Sequence, residues 1–279
     1  MNIGKKVMLN AGAWAGGIVT SGPDRRRALF NALRLSRPEA ERFRKEEALR
    51  FLAYVFAKRH KSHAQILQDL WVCFELDEKR AGFFVEFGAT NGVVNSNTRL
   101  LESQYDWTGI LAEPNPVWHS DLAGNRKANI DHRCVSSASG KTVSFLTTDH
   151  ADPELSGIAE FADGDHFDKV RASGKEIKVE TVSLNDLLTE YKAPREIDYL
   201  SIDTEGSEFD TLSAFDFSKF AVRLLSVEQN RKTEGPIEAL LASHGFVRVF
   251  REYSQWDGWY RHGSVRAQSS ADTSASPRR

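Results

Sequence analysis

Acidic residues cluster at one point in the sequence, in the stretch SIDTEGSEFD that begins at Ser201. Asp203, Glu205 and Glu208 follow one another closely there, directly after an apolar run of strand length. Three carboxylates this close repel one another unless they share protons, hydrogen-bond donors or a cation. The pattern is typical of general-base chemistry or of binding a hard divalent cation.

A further acid, Glu228, ends the next apolar run, and Asn230 follows two residues later. Neighbouring strands lie about 4.8 Å apart, so we expect these side chains to meet the first cluster in one small volume. Structural alternatives exist for two of the acids. Glu208 can stabilise the N-terminus of a helix that starts after Gly206, and Glu205 can accept hydrogen bonds from the turn.

A glycine-containing turn follows an earlier apolar run, in FFVEFGATNGVVNSNT from Phe83. In open parallel sheets ligands bind outside the carboxyl ends of the strands, and glycine lets backbone approach a ligand closely. Gly88–Gly92 does not contain the full G-x-G-x-x-G pattern, so the turn alone is a weak signal. Glu86 lies inside the strand, where its charge needs donors from the turn or from a positively charged ligand.

A second acid strengthens this interpretation, because Leu111-Ala112-Glu113 ends a strand about twenty residues after the turn. An acidic side chain at that offset accepts hydrogen bonds from ribose hydroxyls. The glycine turn and Glu113 together predict an adenosine-bearing ligand. The structural alternative is that Glu113 caps a helix beginning at Asn115-Pro116.

The elements that must position these residues alternate between strand and helix, which predicts an α/β fold with a mainly parallel sheet. Two helices come first, over Pro38–Arg59 and Ala64–Glu78. The alternating segments are Phe83–Phe87, Thr98–Glu102, Thr108–Leu111, Val117–Asn125, Ile130–Val135, Ile197–Ile202, Phe209–Phe215, Leu224–Val227 and Pro236–His244. Phe246–Phe250 and Trp259–His262 indicate an antiparallel pair at the sheet edge.

Insertions decorate this pattern. Thr142–Thr147 and Glu176–Val182 read as extra strands, and the polar segment Asp149–Gly174 between them is either a lid over the site or a surface loop. The tail Gly263–Arg279 is rich in Ser and Ala, and we expect it to be disordered.

Composition excludes several classes. The net charge of −2 provides no global field for nucleic acid, and two cysteines make neither a disulfide framework nor a zinc site. Val7–Val19 is a poor signal peptide, and no segment is apolar for long enough to span a bilayer. The sequence therefore predicts a cytoplasmic protein without a transmembrane segment.

Four stretches together resemble the FkbM family of S-adenosylmethionine-dependent methyltransferases. They are GFFVEFGATNGVVNSNTRLLE, WTGILAEPNP, IDYLSIDTEGSEFDTLSAFDF and LLSVEQN, and the preceding AQILQDLW also matches in part. The resemblance implies a class I methyltransferase fold, Rossmann-like, with a seven-stranded, mainly parallel sheet whose last pair is antiparallel. The resemblance covers about Gln65 to Phe250. We therefore expect three regions: an N-terminal helical extension (1–62), the methyltransferase domain (63–262) and a disordered tail (263–279).

Carried over position by position, the resemblance implies a set of cofactor-binding residues. They are Gln65, Asp69, Glu86, Gly88, Ala89, Thr90, Asn91, Gly92, Ser96, Asn97, Thr98, Glu113, Pro114, Ser136 and Asp203. Within this set, the triplet at Ser96 is expected to hold the carboxylate of the donor or to cap a helix. Ser136 is expected where the third strand ends, beside the adenine.

The family resemblance implies O-methylation of a hydroxyl on a sugar, a polysaccharide or another natural product. A hydroxyl is a poor nucleophile, so either a base or a metal must activate it. Asp203 is the base in the first version, assisted by Glu205 or Glu228, with Asn230 nearby. In the second version Asp203 and Glu228 bind Mg²⁺ or Ca²⁺, with Glu205 as a further candidate ligand.

Other classes stay open at this stage. An NAD-dependent oxidoreductase shares the sheet but normally has further glycines in the turn, and a non-catalytic nucleoside-binding or partner subunit keeps the fold without the chemistry. The N-terminal helices are expected to cover the cofactor or to form a homodimer.

Overall fold

The computed structural model describes residues 46–147, 157–158, 175–204 and 206–265. All residues of the site discussed below belong to one compact unit, Tyr54–Gln268. Within the described part of the chain, no helix has the length and apolar character needed to cross a bilayer.

Helices and strands alternate along most of the described residues. The helices are α1 (Glu47–Lys58), α2 (Gln68–Glu75), α3 (Arg99–Tyr105), α4 (His119–Asn125), α5 (Leu184–Glu190), α6 (Glu208–Ser213) and α7 (Glu234–Ser243). The strands are β1 (Phe83–Phe87), β2 (Thr108–Ala112), β3 (Asn129–Asp131), β4 (Cys134–Ser136), β5 (Thr142–Thr147), β6 (Gly157–Ile158), β7 (Lys175–Ser183), β8 (Glu196–Ile202), β9 (Ala221–Glu228), β10 (Phe246–Val249) and β11 (Asp257–His262).

Seven strands form the main sheet in the order β10-β11-β9-β8-β1-β2-β3. The pairs from β9 to β3 are parallel, whereas β11 runs antiparallel to both of its neighbours. This arrangement confirms the predicted α/β fold and the antiparallel last pair. Because β8, β1 and β2 are parallel neighbours, the segments after Ile202, Phe87 and Ala112 all leave the same edge of the sheet.

The central strands are apolar because both faces of the sheet are covered. On one face Val85, Ile110 and Leu200 join a large buried cluster with the helices that follow the strands. On the other, Trp71 of α2 stacks on Trp259 of β11, with 5.1 Å between ring centroids. Burying each large apolar side chain contributes about 1.5–3 kcal/mol to the free energy of unfolding. The packed core therefore fixes the positions of the strand ends.

A smaller sheet of four strands, in the order β4-β7-β5-β6, lies outside the main sheet. The prediction of a single strand over Ile130–Val135 is wrong, because β3 belongs to the main sheet and β4 to the smaller one. The chain turns between them: the Asp131 carboxylate accepts a hydrogen bond from the backbone N–H of Arg133 at 2.8 Å.

Two other elements differ from the sequence prediction. The second helix starts at Gln68 rather than Ala64, because Leu67 takes a left-handed conformation with φ of 72° that a helix cannot include. The pattern did not reveal α5, and its N-cap is Ser183, whose side chain accepts from the Asp186 N–H. The start of the first predicted helix and most of the candidate lid lie outside the described residues.

Candidate active site

The turn after β1 requires glycine at its first position. Gly88 has φ of +70°, and a Cβ atom at this residue would lie 2.3 Å from the main-chain oxygen of Asp203. The N–H groups of Gly88 and Ala89 both donate to the carbonyl of Ala112, at 3.1 and 3.4 Å. The turn therefore packs between the end of β2 and the residue that follows β8. Gly88 is nevertheless exposed to solvent.

Glu113, directly after β2, is buried and bound to this turn. One carboxylate oxygen accepts from the N–H of Thr90 at 2.8 Å, and the other accepts from the N–H of Asn115 at 2.8 Å. Burial raises the pKa of Glu113 to about 7; the two backbone hydrogen bonds oppose the rise, and the charge of Asp203 adds to it. Since α4 starts only at His119, Glu113 does not cap that helix.

Glu86 of β1 takes its hydrogen bonds from the chain itself. Its carboxylate accepts from the Ser96 hydroxyl at 3.1 Å, from the Asn97 N–H at 2.7 Å and from the Thr98 hydroxyl. Ser96 Oγ in turn accepts from the N–H of Arg99 at 3.1 Å at the start of α3. The triplet thus anchors the buried acid, and Ser96 ties it to the first residue of α3, whose N-cap Thr98 makes no side-chain cap. The triplet's predicted contact with the donor's carboxylate stays a prediction.

The counterion of Glu86 is a residue that the sequence analysis missed. Arg126, which follows α4, has a fully buried side chain whose Nη1 lies 3.6 Å from the Glu86 carboxylate. Its guanidinium donates to Thr98 Oγ1 at 2.8 Å, to the carbonyl of Gly92 at 3.2 Å and to the Glu102 carboxylate. Glu86 therefore needs no cationic ligand. An Arg between a helix and the next strand gave no local signal of this pairing.

Asn97 reaches from this network to the neighbouring strand. Its Nδ2 donates to the Ser201 hydroxyl of β8 at 2.9 Å. Its Oδ1 is buried and accepts no hydrogen bond from any residue in the described ranges. An unmatched buried acceptor is costly, so a donor group of a ligand is the natural partner for this oxygen.

Asp203 begins the loop between β8 and α6 and is exposed. The loop is fastened by Glu208, whose Oε1 accepts from the N–H groups of Thr204 at 3.1 Å and Gly206 at 2.8 Å. Glu208 is buried, and it is the first residue of α6. Its geometry matches the structural alternative for this acid, while Glu205 lies outside the described residues.

Glu228 ends β9, where it lies opposite Asp257 of the antiparallel strand β11. Asn230 is exposed and organises the start of α7: its Oδ1 accepts from the N–H groups of Lys232 and Thr233, at 2.8 and 3.2 Å. Both residues lie at the carboxyl edge of the sheet. The side-chain oxygen of Asn230 is thus engaged in its own turn.

Three further predicted residues, Asn91, Pro114 and Ser136, lie in or beside the segments that follow the strands. Asn91 Oδ1 accepts from the N–H groups of Val93 and Val94, both at 2.9 Å, which closes the turn at Gly92. Pro114 is half-buried between Glu113 and Asn115, and Ser136 ends β4 of the smaller sheet.

The segment before α2 crosses the loop that carries Ser96, since Ala64 pairs with Asn95 in a parallel bridge. Asp69 is buried and accepts from the Ser62 hydroxyl at 2.6 Å and the His63 N–H at 2.8 Å. Gln65 is exposed. Asp69 therefore orders this segment beside the site, and a contact of Asp69 or Gln65 with a cofactor stays a prediction.

Metal binding receives no support from the side chains in the described ranges. No group of three or more His, Cys, Asp or Glu residues there is arranged to hold a metal ion. Asp203 and Glu228 thus do not belong to such a group.

Comparison with known proteins identifies the family. The sequence profile described as the methyltransferase FkbM domain matches residues 86–252, more than half of the chain. A search of curated protein sequences found no match.

Two solved structures are similar in part. A precorrin-6y C5,15-methyltransferase from Geobacter metallireducens has 9% identity and a TM-score of 0.36, with 69% of this chain and 84% of that chain covered. A protein from Pyrococcus horikoshii assigned as an RNA methyltransferase has 12% identity and a TM-score of 0.33, with 66% and 70% covered. The identities and TM-scores of both structures are low. The family profile matches most of the chain, and the chain therefore belongs to the FkbM family of methyltransferases.

Proposed function

We propose that this methyltransferase uses S-adenosylmethionine to methylate a hydroxyl group of a sugar, a polysaccharide or another natural product. One observation carries the proposal. The turn at Gly88, the buried acid Glu113 and the exposed acid Asp203 lie at the ends of three neighbouring parallel strands. This arrangement supports a nucleoside site next to a base for the nucleophile.

The residues present fit the donor. Glu113 is placed to accept hydrogen bonds from ribose hydroxyls, as acidic residues at this strand end do in dinucleotide-binding sheets. The exposed backbone at Gly88 allows close approach of the methionine part, and Asn97 Oδ1 offers a buried acceptor for its ammonium group. When bound, the sulfonium supplies an electrophilic methyl group with a good leaving group already attached.

Asp203 is the residue we assign to deprotonation of the acceptor hydroxyl. It is exposed, and its main chain touches the Gly88 turn, so an acceptor can reach the carboxylate beside the donor. A positioned carboxylate base contributes about 10²–10⁴-fold to such a step. Glu228 and Asn230, at the end of the next strand, are proposed to contact the acceptor rather than a metal ion.

The test combines binding with turnover. Calorimetric titration with S-adenosylhomocysteine should show binding to the wild type that Glu113→Ala weakens and Asp203→Asn leaves within about threefold. Transfer of labelled methyl groups to a panel of mono- and oligosaccharides should then be lost in Asp203→Asn by 10²-fold or more. NAD should not raise the melting temperature, whereas S-adenosylhomocysteine should. Absence of binding to the wild type would sink the proposal.

A further inference from the structure

Two histidines at the β2–β3 corner have no role in the site described so far. The rings of His119, the first residue of α4, and His132, directly after β3, are stacked with 3.7 Å between their centroids and 29° between their planes. His119 Nε2 lies 2.9 Å from the main-chain oxygen of Glu113. Since a carbonyl oxygen only accepts, this nitrogen carries the proton, and the ring is fixed beside the acid.

The order of the strands gives the direction in which a bound donor extends. Asp203, Gly88 and Glu113 follow β8, β1 and β2, which are neighbours in that order. If the methionine part lies over β1 and the ribose over β2, the base continues away from β1 and over the end of β3. Residues 131–133 occupy that place.

The side chains at the end of β3 differ in their availability. The Asp131 carboxylate is buried and engaged by Arg133, whose Nη2 donates to it at 2.6 Å. The Arg133 guanidinium also donates to Glu190 of α5 at 2.6 Å. His132, by contrast, is exposed. One face of its ring is stacked on His119.

We propose that the stacked His119–His132 pair is the nucleobase-binding wall of the donor site, with His132 in contact with the base and His119 as its positioning residue. This inference rests on the proposed function, since it assigns the end of the donor that lies beyond Glu113. It replaces Ser136 as the neighbour of the base, because Ser136 ends a strand of the smaller sheet.

Electrostatics favours a neutral ring at His119. Two imidazolium rings face to face at this distance would repel each other, and burial followed by the proximity of His132 lowers the pKa of His119. Glu113, whose main-chain oxygen contacts His119, is bound by two N–H groups, and Asp131, next to His132 in the sequence, is paired with Arg133. An aromatic face suits stacking with an uncharged purine.

Calorimetry with S-adenosylhomocysteine tests the inference. We expect His132→Ala to weaken binding about tenfold or more, as for the loss of one base-stacking aromatic residue, and His132→Phe to stay within about threefold. His244→Ala is the matched control: His244 also stacks on an aromatic ring, Phe217, at 4.2 Å, but lies after α7, away from β2 and β3. It should leave the affinity unchanged.

A direct contact separates base binding from general loosening of the fold. Nuclear Overhauser effects are expected between the adenine H2 or H8 of bound S-adenosylhomocysteine and the ring protons of His132. The cross-peaks at the chemical shifts of the His132 ring protons should be absent from the spectrum of His132→Phe. If the wild type binds but these effects arise only from other side chains, or if His132→Ala binds as tightly as the wild type, the inference is wrong. If the wild type does not bind, the proposed function itself fails.

Discussion

The backbone N–H of Thr90 donates to the Glu113 carboxylate at 2.8 Å, so the turn after β1 and the acid after β2 form one unit. Thr90 has φ of 47°, which places its N–H toward β2 at the cost of a left-handed backbone. The residue proposed to bind ribose therefore also holds the turn proposed to bind the methionine part. Changes at Glu113 should affect both ends of the donor site.

The first prediction concerns pH. The pKa of Glu113 rises from its ordinary value of 4.5 to about 7 in the fold, so its stabilising contribution is complete below about pH 4.5 and is lost as the pH rises through about 7. Glu113→Gln does not titrate. Its free energy of unfolding relative to the wild type should therefore increase by about 2 kcal/mol between pH 5.5 and 8.5.

Urea denaturation at both pH values measures this difference. Any constant loss from placing an amide N–H against Thr90 or Asn115 cancels, because only the change with pH matters. Glu180→Gln, at an exposed position of β7, is the control and should change by less than about 0.5 kcal/mol. A Glu113→Gln difference that does not vary with pH would contradict the prediction.

The second prediction concerns Gly88. Gly88→Ala must accommodate both a positive φ and a Cβ atom 2.3 Å from the Asp203 carbonyl. Gly140→Ala has the same conformational penalty, with φ of +74°, but no atom within 4 Å of the new Cβ. Thermal unfolding should show a loss of about 1 kcal/mol for Gly140→Ala and a clearly larger one for Gly88→Ala. Equal losses would mean that the contact with Asp203 relaxes freely.

The third prediction concerns the buried arginine. Arg126→Met removes the positive charge between Glu86 and Glu102, both of which are nearly inaccessible, and should cost about 3–5 kcal/mol of stability. Arg80→Met breaks an ion pair with Asp106 in which the side chains are 61% and 69% exposed, and should cost less than about 1 kcal/mol. Denaturation curves of the two variants provide the comparison.

The fourth prediction separates shape from charge at Glu208. Three hydrogen bonds from the described part of the loop, donated by the N–H and hydroxyl of Thr204 and the N–H of Gly206, end on the same oxygen of Glu208. Glu208→Gln keeps such an oxygen and should lose less than about 1 kcal/mol, whereas Glu208→Ala should lose about 1–3 kcal/mol. Similar melting temperatures for both variants would argue against this anchoring role.

Much of the sheet could be predicted because each central strand is a short apolar run followed by a polar turn. β1 and β5 have the predicted bounds, and β2, β8 and β9 differ by one to three residues at an end. Prediction failed where local chemistry overrides periodicity. The Asp131 side chain accepts a hydrogen bond from the Arg133 N–H and so stabilises a turn between β3 and β4. Leu67 has a positive φ, which is rare for leucine and cannot be predicted from the residue type.

The candidate site could be predicted only in part. Acids and glycines at strand ends are visible in the sequence because the sheet brings those ends together. Which partners each acid takes depends on distant residues: Glu86 is paired with Arg126, and Glu208 is used by its own loop. No local pattern distinguishes an acid that binds a ligand from one that fastens a turn.

Arg126 takes its own hydrogen-bond and ion-pair partners from one stretch of the chain, whereas Asn97 links the wider network to Ser201 of β8. The Arg126 partners Glu86, Gly92, Thr98 and Glu102 all precede it in the segment that runs from β1 to the end of α4. Since such contacts are local in sequence, this segment can form early in folding and reopen as one cooperative unit. The amide protons of Asn97 and Arg126 should then exchange with solvent at a common rate, even though they belong to different loops.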